Sequence, residues 1–209
     1  MKYQLTLSFS LLLLFSCSNK KKTPDKSIVA DSTNVQAPVL VSEEKAVLNK
    51  TKEIMAILKN KEFQQFTQFI HPVLGIRFSP YAYIDTLHDL KLTKSAFEEH
   101  VKKQDKLNWG SYDPSDEPIN KSIQGYFKEF VYDADFLHAE KTSFNEFIGG
   151  GNTLNNLLAI YKDCVFTESH FSGFDKKFEG MDWTSVRLVY KKQGEQYYLV
   201  GIVHDQWTI

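Results

Sequence analysis

The chain has 209 residues, with 25 Lys and Arg against 26 Asp and Glu and a formal net charge of −1. Removing residues 1–16 takes away Lys2 and no acid, which leaves −2. Nucleic-acid binders carry a basic excess to meet phosphate backbones, so this balance argues against nucleic acid as a partner. Aromatic residues make up 14% of the chain, with 16 Phe and 10 Tyr. That content fits either a ligand-lined cavity or a curved sheet packed with aromatics.

Lys2, an apolar run ending in Leu11 to Phe15, then Ser16 and Cys17, form a charged start, a short hydrophobic segment and a small residue before a cysteine. This pattern predicts a signal peptide over residues 1–16. The chain turns polar at Ser18, and a membrane span needs about 20 apolar residues, so the segment is too short to cross a bilayer. Leu14-Phe15-Ser16-Cys17 resembles the bacterial lipobox. That resemblance implies cleavage before Cys17, acylation of its thiol and amine, and a lipid-anchored place in the cell envelope, where two or more acyl chains suffice for stable attachment. The partner implied is a membrane, reached through the lipid.

Residues 17–41 are rich in Lys, Ser, Thr, Asn, Asp and Pro without a sustained period, and predict a flexible linker. Lys20, Lys21 and Lys22 either touch anionic head groups or are solvated linker charge. A single globular domain is then expected over residues 42–209, which is long enough for its own core. Ser42, followed by Glu43 and Glu44, is the expected N-cap of a first helix carrying Val47, Ile54, Ile57 and Leu58 on one face. A second helix is expected from Lys61 to Ile70, ended by Pro72. Gly75 to Asp85 reads as extended chain. Thr93 caps a third helix over Lys94 to Lys103, Asp113 to Pro118 is a loop, and Lys121 to Tyr132 is helical with Ile123, Phe127, Phe130 and Val131 packed. A shorter helix is expected from Asn152 to Tyr161.

Cys164 to Phe171, Thr184 to Lys191 and Gln196 to His204 predict three strands, the last two joined at Gly194. With a two-residue loop at Gln193-Gly194, Arg187 faces Val200 and Trp183 faces His204, which puts Trp183, Arg187, Ile202 and His204 on one face. Helices first and strands last, without a βαβ repeat, predict an α+β fold: N-terminal helices packed on a curved antiparallel sheet.

That order resembles the nuclear transport factor 2-like cone. His71-Pro72 with Gly75 to Tyr83, Gly149 to Thr153, Gly180 to Trp183 and Gly201 to Ile209 resemble an uncharacterised family of exported bacterial proteins. The resemblance covers most of the chain from Lys45 onward. It implies fold and compartment, and no activity.

Gly149-Gly150-Gly151-Asn152-Thr153 ahead of a helix offers backbone N–H groups to an anion, but lacks the Lys-Ser/Thr of a P-loop and reads better as a capped turn. The six histidines show no zinc-ligand spacing, and Asp113, Asp116 and Glu117 miss the EF-hand pattern, so no metal and no cofactor is expected. With Cys17 acylated, Cys164 has no disulfide partner and reads as a small core residue. The candidate binding residues are Arg187, His204 and Trp183, with Arg77, Tyr81 and Tyr83 nearby, and Asp205 beside His204 pointing to the other face. A mid-strand Arg187 is costly unless it is paired or faces a wet cavity. The expectation is a non-catalytic domain binding a small molecule or a protein partner. Two alternatives stand beside it: an enzyme using His204 as general acid or base, and an interaction module with an exposed apolar patch.

Overall fold

The computed structural model describes residues 36–208, with side chains from residue 42; Cys17, the signal segment and the lysine triplet lie outside the described residues. The fold is α+β. Strands β1 (Ile76–Ser79), β2 (Lys91–Leu92), β5 (Lys141–Phe144), β6 (Val165–Phe171), β7 (Thr184–Gln193) and β8 (Gln196–Gln206) form one sheet in the order β2-β1-β8-β7-β6-β5. Strands β3 (Leu107–Ser111) and β4 (Pro118–Lys121) form a separate hairpin. The expected all-antiparallel sheet is corrected at one place: β1 runs parallel to β8, with Arg77 opposite Gly201.

Helix α1 spans Gln36–Lys59, so Ser42 is a helix-interior residue and not its cap. The helix starts six residues before the expected domain boundary. Val47, Thr51, Ile54, Met55 and Leu58 are buried at helical spacing and form the stripe that lies on the sheet. Thr51 is tolerated in that stripe because its hydroxyl meets Thr167 Oγ1 at 2.9 Å and Tyr190 Oη at 2.7 Å. The helix ends where Lys61 turns left-handed (φ 58°) and the N–H groups of Lys61 and Glu62 bond back to the carbonyls of Leu58 and Ile57. This satisfies two carbonyls that the helix end would otherwise leave open.

The expected second helix is shorter, with α2 at Phe63–Phe66 and one 3₁₀ turn to Phe69. Helix α3 (Lys94–Lys103) is capped by Thr93, whose Oγ1 accepts from Ala96 N–H at 3.1 Å. Helix α4 (Ile123–Phe130) is capped by Ser122 in the same way and buries Ile123, Tyr126, Phe127 and Phe130. Helix α5 is only Leu157–Ile160, so no helix begins at the glycine run.

The aromatics fill the space between helices and sheet. Trp109 and Tyr126 stack at 4.0 Å, Phe78 sits edge-on to both, and Phe66, Phe97 and Phe127 close the cluster. Offset and edge-on contacts of this kind stabilise beyond their area. Of the two readings of the aromatic content, this inner face of the sheet takes the packed one. The outer face carries a smaller apolar cluster of Ile84, Leu157, Phe166, Val189, Val200 and Val203.

The β7–β8 register decides what shares a face. The two-residue loop is Gly194-Glu195, with Gln193 opposite Gln196 and Tyr190 opposite Leu199. The register then shifts, so that Val189 pairs with Gly201 and Val186 with His204. The extra residue, Val200, is a β-bulge, and a one-residue bulge exchanges the faces of everything beyond it. Ile202 and His204 therefore join Val186 and Leu188 on the inner face, while Val203 and Asp205 join Arg187 on the outer one. The expectation that Arg187 and His204 share a face is corrected by that bulge.

Candidate functional site

Arg187 lies opposite Glu168 across β7 and β6, and Asp205, opposite Ser185, lies on the same face. All three are sealed from solvent, with 0% exposure for Arg187 and Glu168 and 2% for Asp205. Arg187 Nε donates to Glu168 Oε2 at 2.9 Å, and its Nη2 donates to Asp205 Oδ2 at 2.7 Å and to the Gly149 carbonyl at 3.1 Å. The guanidinium also sits 5.1 Å from the centre of the Phe147 ring. Glu168 accepts in addition from the N–H groups of Ile148 and Gly149, at 3.1 and 2.8 Å. Buried charges persist only when paired and hydrogen-bonded in this way. Burial pushes the Asp205 carboxyl above its ordinary value, against the pull of Arg187.

Gly149 thus bonds to both partners of the pair. A Cβ there would come within 2.7 Å of Ser185 Oγ and of the Trp183 ring, so only glycine lets the backbone approach. The glycine run closes the loop over an ion cluster; it does not cradle an anion at a helix start. Nothing in the cluster reaches solvent, so Arg187 binds the fold together.

His204 lies in the inner core. Its Nδ1 is 3.2 Å from the Pro80 carbonyl, its Nε2 is 3.1 Å from Thr184 Oγ1 and 3.4 Å from Asp133 Oδ2, and its ring meets Phe130 edge-on. Trp183 is 9% exposed, packed against Gly149 and Gly151. Tyr81 is half-buried, with its hydroxyl accepting from Asp113 N–H at 3.1 Å, and Tyr83 is exposed. The structure does not bring these residues to one site.

Arg77 is different. It lines a cleft of about 490 Å³ on the outer face, together with Lys91, Lys162, Lys191, Tyr161 and Cys164. Strand pleating explains the gathering. Lys91 and Gly201 are the neighbours of Arg77 on β2 and β8, Val189 is the neighbour of Gly201 on β7, and Lys191 is two residues from Val189. All point outward. The segment carrying Tyr161 to Cys164 is held over this face by Asn156, whose side chain accepts from Ile84 N–H at 2.8 Å and donates to Ile84 O at 3.1 Å.

Gly201 lies directly behind Tyr161, one of the residues that line the cleft. A Cβ on it would lie 2.5 Å from Tyr161 Oη, so the phenol occupies the space that a side chain would take. Burial pushes the Tyr161 hydroxyl up to about 12, with Arg77 opposing. Arg77 Nη1 donates to the carbonyls of Asp89 (3.0 Å) and Thr86 (3.1 Å), which fixes the guanidinium at the cleft's edge.

Four cations line the space and Asp163 is the one acid with them. Asp163 is itself exposed, its carboxylate 3.7 Å from Lys191 Nζ. Among the described residues, no carboxylate lies within ion-pair distance of Arg77, Lys91 or Lys162. The arrangement can hold an anion of a few heavy atoms. Burial raises the Cys164 thiol above its ordinary value.

Sequence reasoning reached Arg77 and missed the lysines, because each sits alone on a separate segment and reads as ordinary surface charge. Gly201 inside a strand was the usable signal, since glycine there marks a close approach. Glu168 within the strand Val165–Phe171 was the matching signal for the ion cluster. Among the described residues, no group of His, Cys, Asp and Glu is arranged to hold a metal ion, and no helix is long and apolar enough to cross a membrane. Comparison with protein-family models, with curated proteins and with solved structures finds no match to this chain.

Proposed function

We propose that the protein is a lipoprotein of the bacterial cell envelope, tethered through Cys17, whose domain binds a small anionic ligand in the Arg77 cleft without catalysis. The observation that carries this reading is the set of four cationic side chains around one cavity with a single exposed acid. Opposite charge in a concave site attracts an anion, and backbone-anchored Arg77 gives it a fixed direction. The enzyme reading loses its premise, because His204 sits in the packed core and not in a cavity. The likeness to the nuclear transport factor 2-like cone belongs to the same proposal, supported by the order of helices and strands.

A second reading, an interaction module, is favoured by the exposed Phe174, Phe178 and Met181 in the β6–β7 connection. Calorimetric titration of phenyl phosphate into the full chain separates the two. Wild type should bind, and Lys91→Glu with Lys191→Glu should abolish the heat. Equal heats, or none from wild type, would contradict the cleft as the site.

A further inference from the structure

The cleft carries exposed apolar side chains beside its charged ones, which a site for a small inorganic anion does not need. Leu74 and Ile160 line it at 45% and 39% exposure. The neighbours of its lining residues along the chain, Val73, Leu87 and Leu158, are 74%, 86% and 60% exposed. Large aliphatic side chains this open, grouped around a basic cavity, match a surface that meets both lipid phosphate and acyl chain.

The placement of the start of α1 agrees. Tyr197 Oη donates to Glu43 near the start of α1, and Tyr197 pairs with Lys192, next to the cleft's Lys191. The cleft and the first turns of α1 therefore occupy the same end of the sheet. Residues 18–35 separate Cys17 from α1, and a chain of that length spans at most about 65 Å when fully extended. The other exposed apolar group, Phe174, Phe178 and Met181, lies at the opposite end of the sheet. Its charges are Lys176 and Lys177 against Asp175, Glu179 and Asp182, with Lys177 and Asp175 paired at 2.7 Å, so it offers no complement to an anionic surface.

We infer that this face docks on an anionic bilayer, with the phosphate of a lipid headgroup in the Arg77–Lys91–Lys191 cleft and Leu74 and Ile160 against the acyl boundary. The inference rests on the anion-binding reading of the cleft and names the anion's source. Each basic residue close to an anionic surface strengthens association about five-fold, so the cleft's four cations make docking strong enough to detect and sensitive to salt.

Cys164 lines the cleft and reports on it. In the full chain carrying Cys17→Ser, Cys164 is the sole thiol. Its labelling by a polar maleimide is followed in three arms: with phosphatidylcholine vesicles, with phosphatidylcholine–phosphatidylglycerol vesicles, and with phenyl phosphate alone. This readout does not depend on how residues 1–16 attach to a bilayer.

The inference expects slower labelling on the anionic vesicles and not on the neutral ones. Lys91→Glu with Lys191→Glu should remove the protection, and Phe174→Ser with Phe178→Ser should leave it. Protection by phenyl phosphate without protection by anionic vesicles would overturn the docking and leave the small-anion reading standing. Protection by neither would overturn both. Equal protection by neutral and anionic vesicles would also overturn the headgroup assignment.

Discussion

Arg187 Nε meets Glu168 Oε2 at 2.9 Å across β7 and β6, with neither side chain exposed to solvent. Removing one partner of such a pair strands the other charge in a low-dielectric interior. Arg187→Leu should therefore destabilise by about 3–5 kcal/mol. Adding Glu168→Gln and Asp205→Asn removes the stranded charges and should recover part of that loss. Denaturant melts of the single and triple variants check this, and a loss below about 1 kcal/mol for Arg187→Leu would show that the cluster does not hold the fold.

Gly201→Ala should push Tyr161 out of place, because the new Cβ would lie 2.5 Å from its hydroxyl and 2.8 Å from Cζ. An overpacked site of this kind costs about 1–3 kcal/mol. In a Tyr161→Leu background the same change should cost much less, since the clashing atoms are gone. A thermodynamic cycle over the four proteins measures the coupling, and additive effects would contradict the contact.

Asp89 is buried, with its Oδ2 accepting from Ser79 Oγ and from Asp85 N–H, and burial pushes its carboxyl up to about 6 from an ordinary 3.8. The folded state therefore holds the proton more tightly than the unfolded state. The stability this contributes is complete below about pH 3.8 and is lost as pH rises through about 6. A shift of this size corresponds to on the order of 3 kcal/mol. Asp89→Asn should thus gain on wild type as pH rises from 4 to 7, seen in denaturant melts across that range. A constant gap between the two proteins would refute it.

The lipid tether is tested at its own residue. Cys17→Ser offers no thiol and should abolish incorporation of labelled palmitate in the native host. Equal incorporation by wild type and variant would remove the anchor from the account.

How far the sequence could be read follows from the range of each interaction. Thr93 and Ser122 announce α3 and α4 because a cap bonds within three residues. The β7–β8 hairpin was readable from alternation and Gly194 for the same reason. The bulge at Val200 was not, since nothing local to β8 marks it, and it alone moves His204 from the outer face to the core. Helix α1 extends past Ser42 to Gln36, and Pro38 falls in its first turn, where proline is tolerated because no intrahelical N–H bond is lost. Arg187 could be recognised as needing a partner, but Glu168 and Asp205 come from neighbouring strands, and their meeting depends on register. The cleft was the least legible part. Arg77, Lys91, Lys162 and Lys191 converge only through strand pairing and the Asn156–Ile84 clamp.

The claim that the Arg77 cleft is the binding site is tested most directly by following backbone amide resonances of the full chain during titration with phenyl phosphate. The account predicts shifts confined to the cleft's segments, around Leu74 and Arg77, Thr86 and Lys91, Ala159 to Cys164, Lys191 and Val200. Shifts centred on Phe174 to Met181, or no shifts at all, would contradict it.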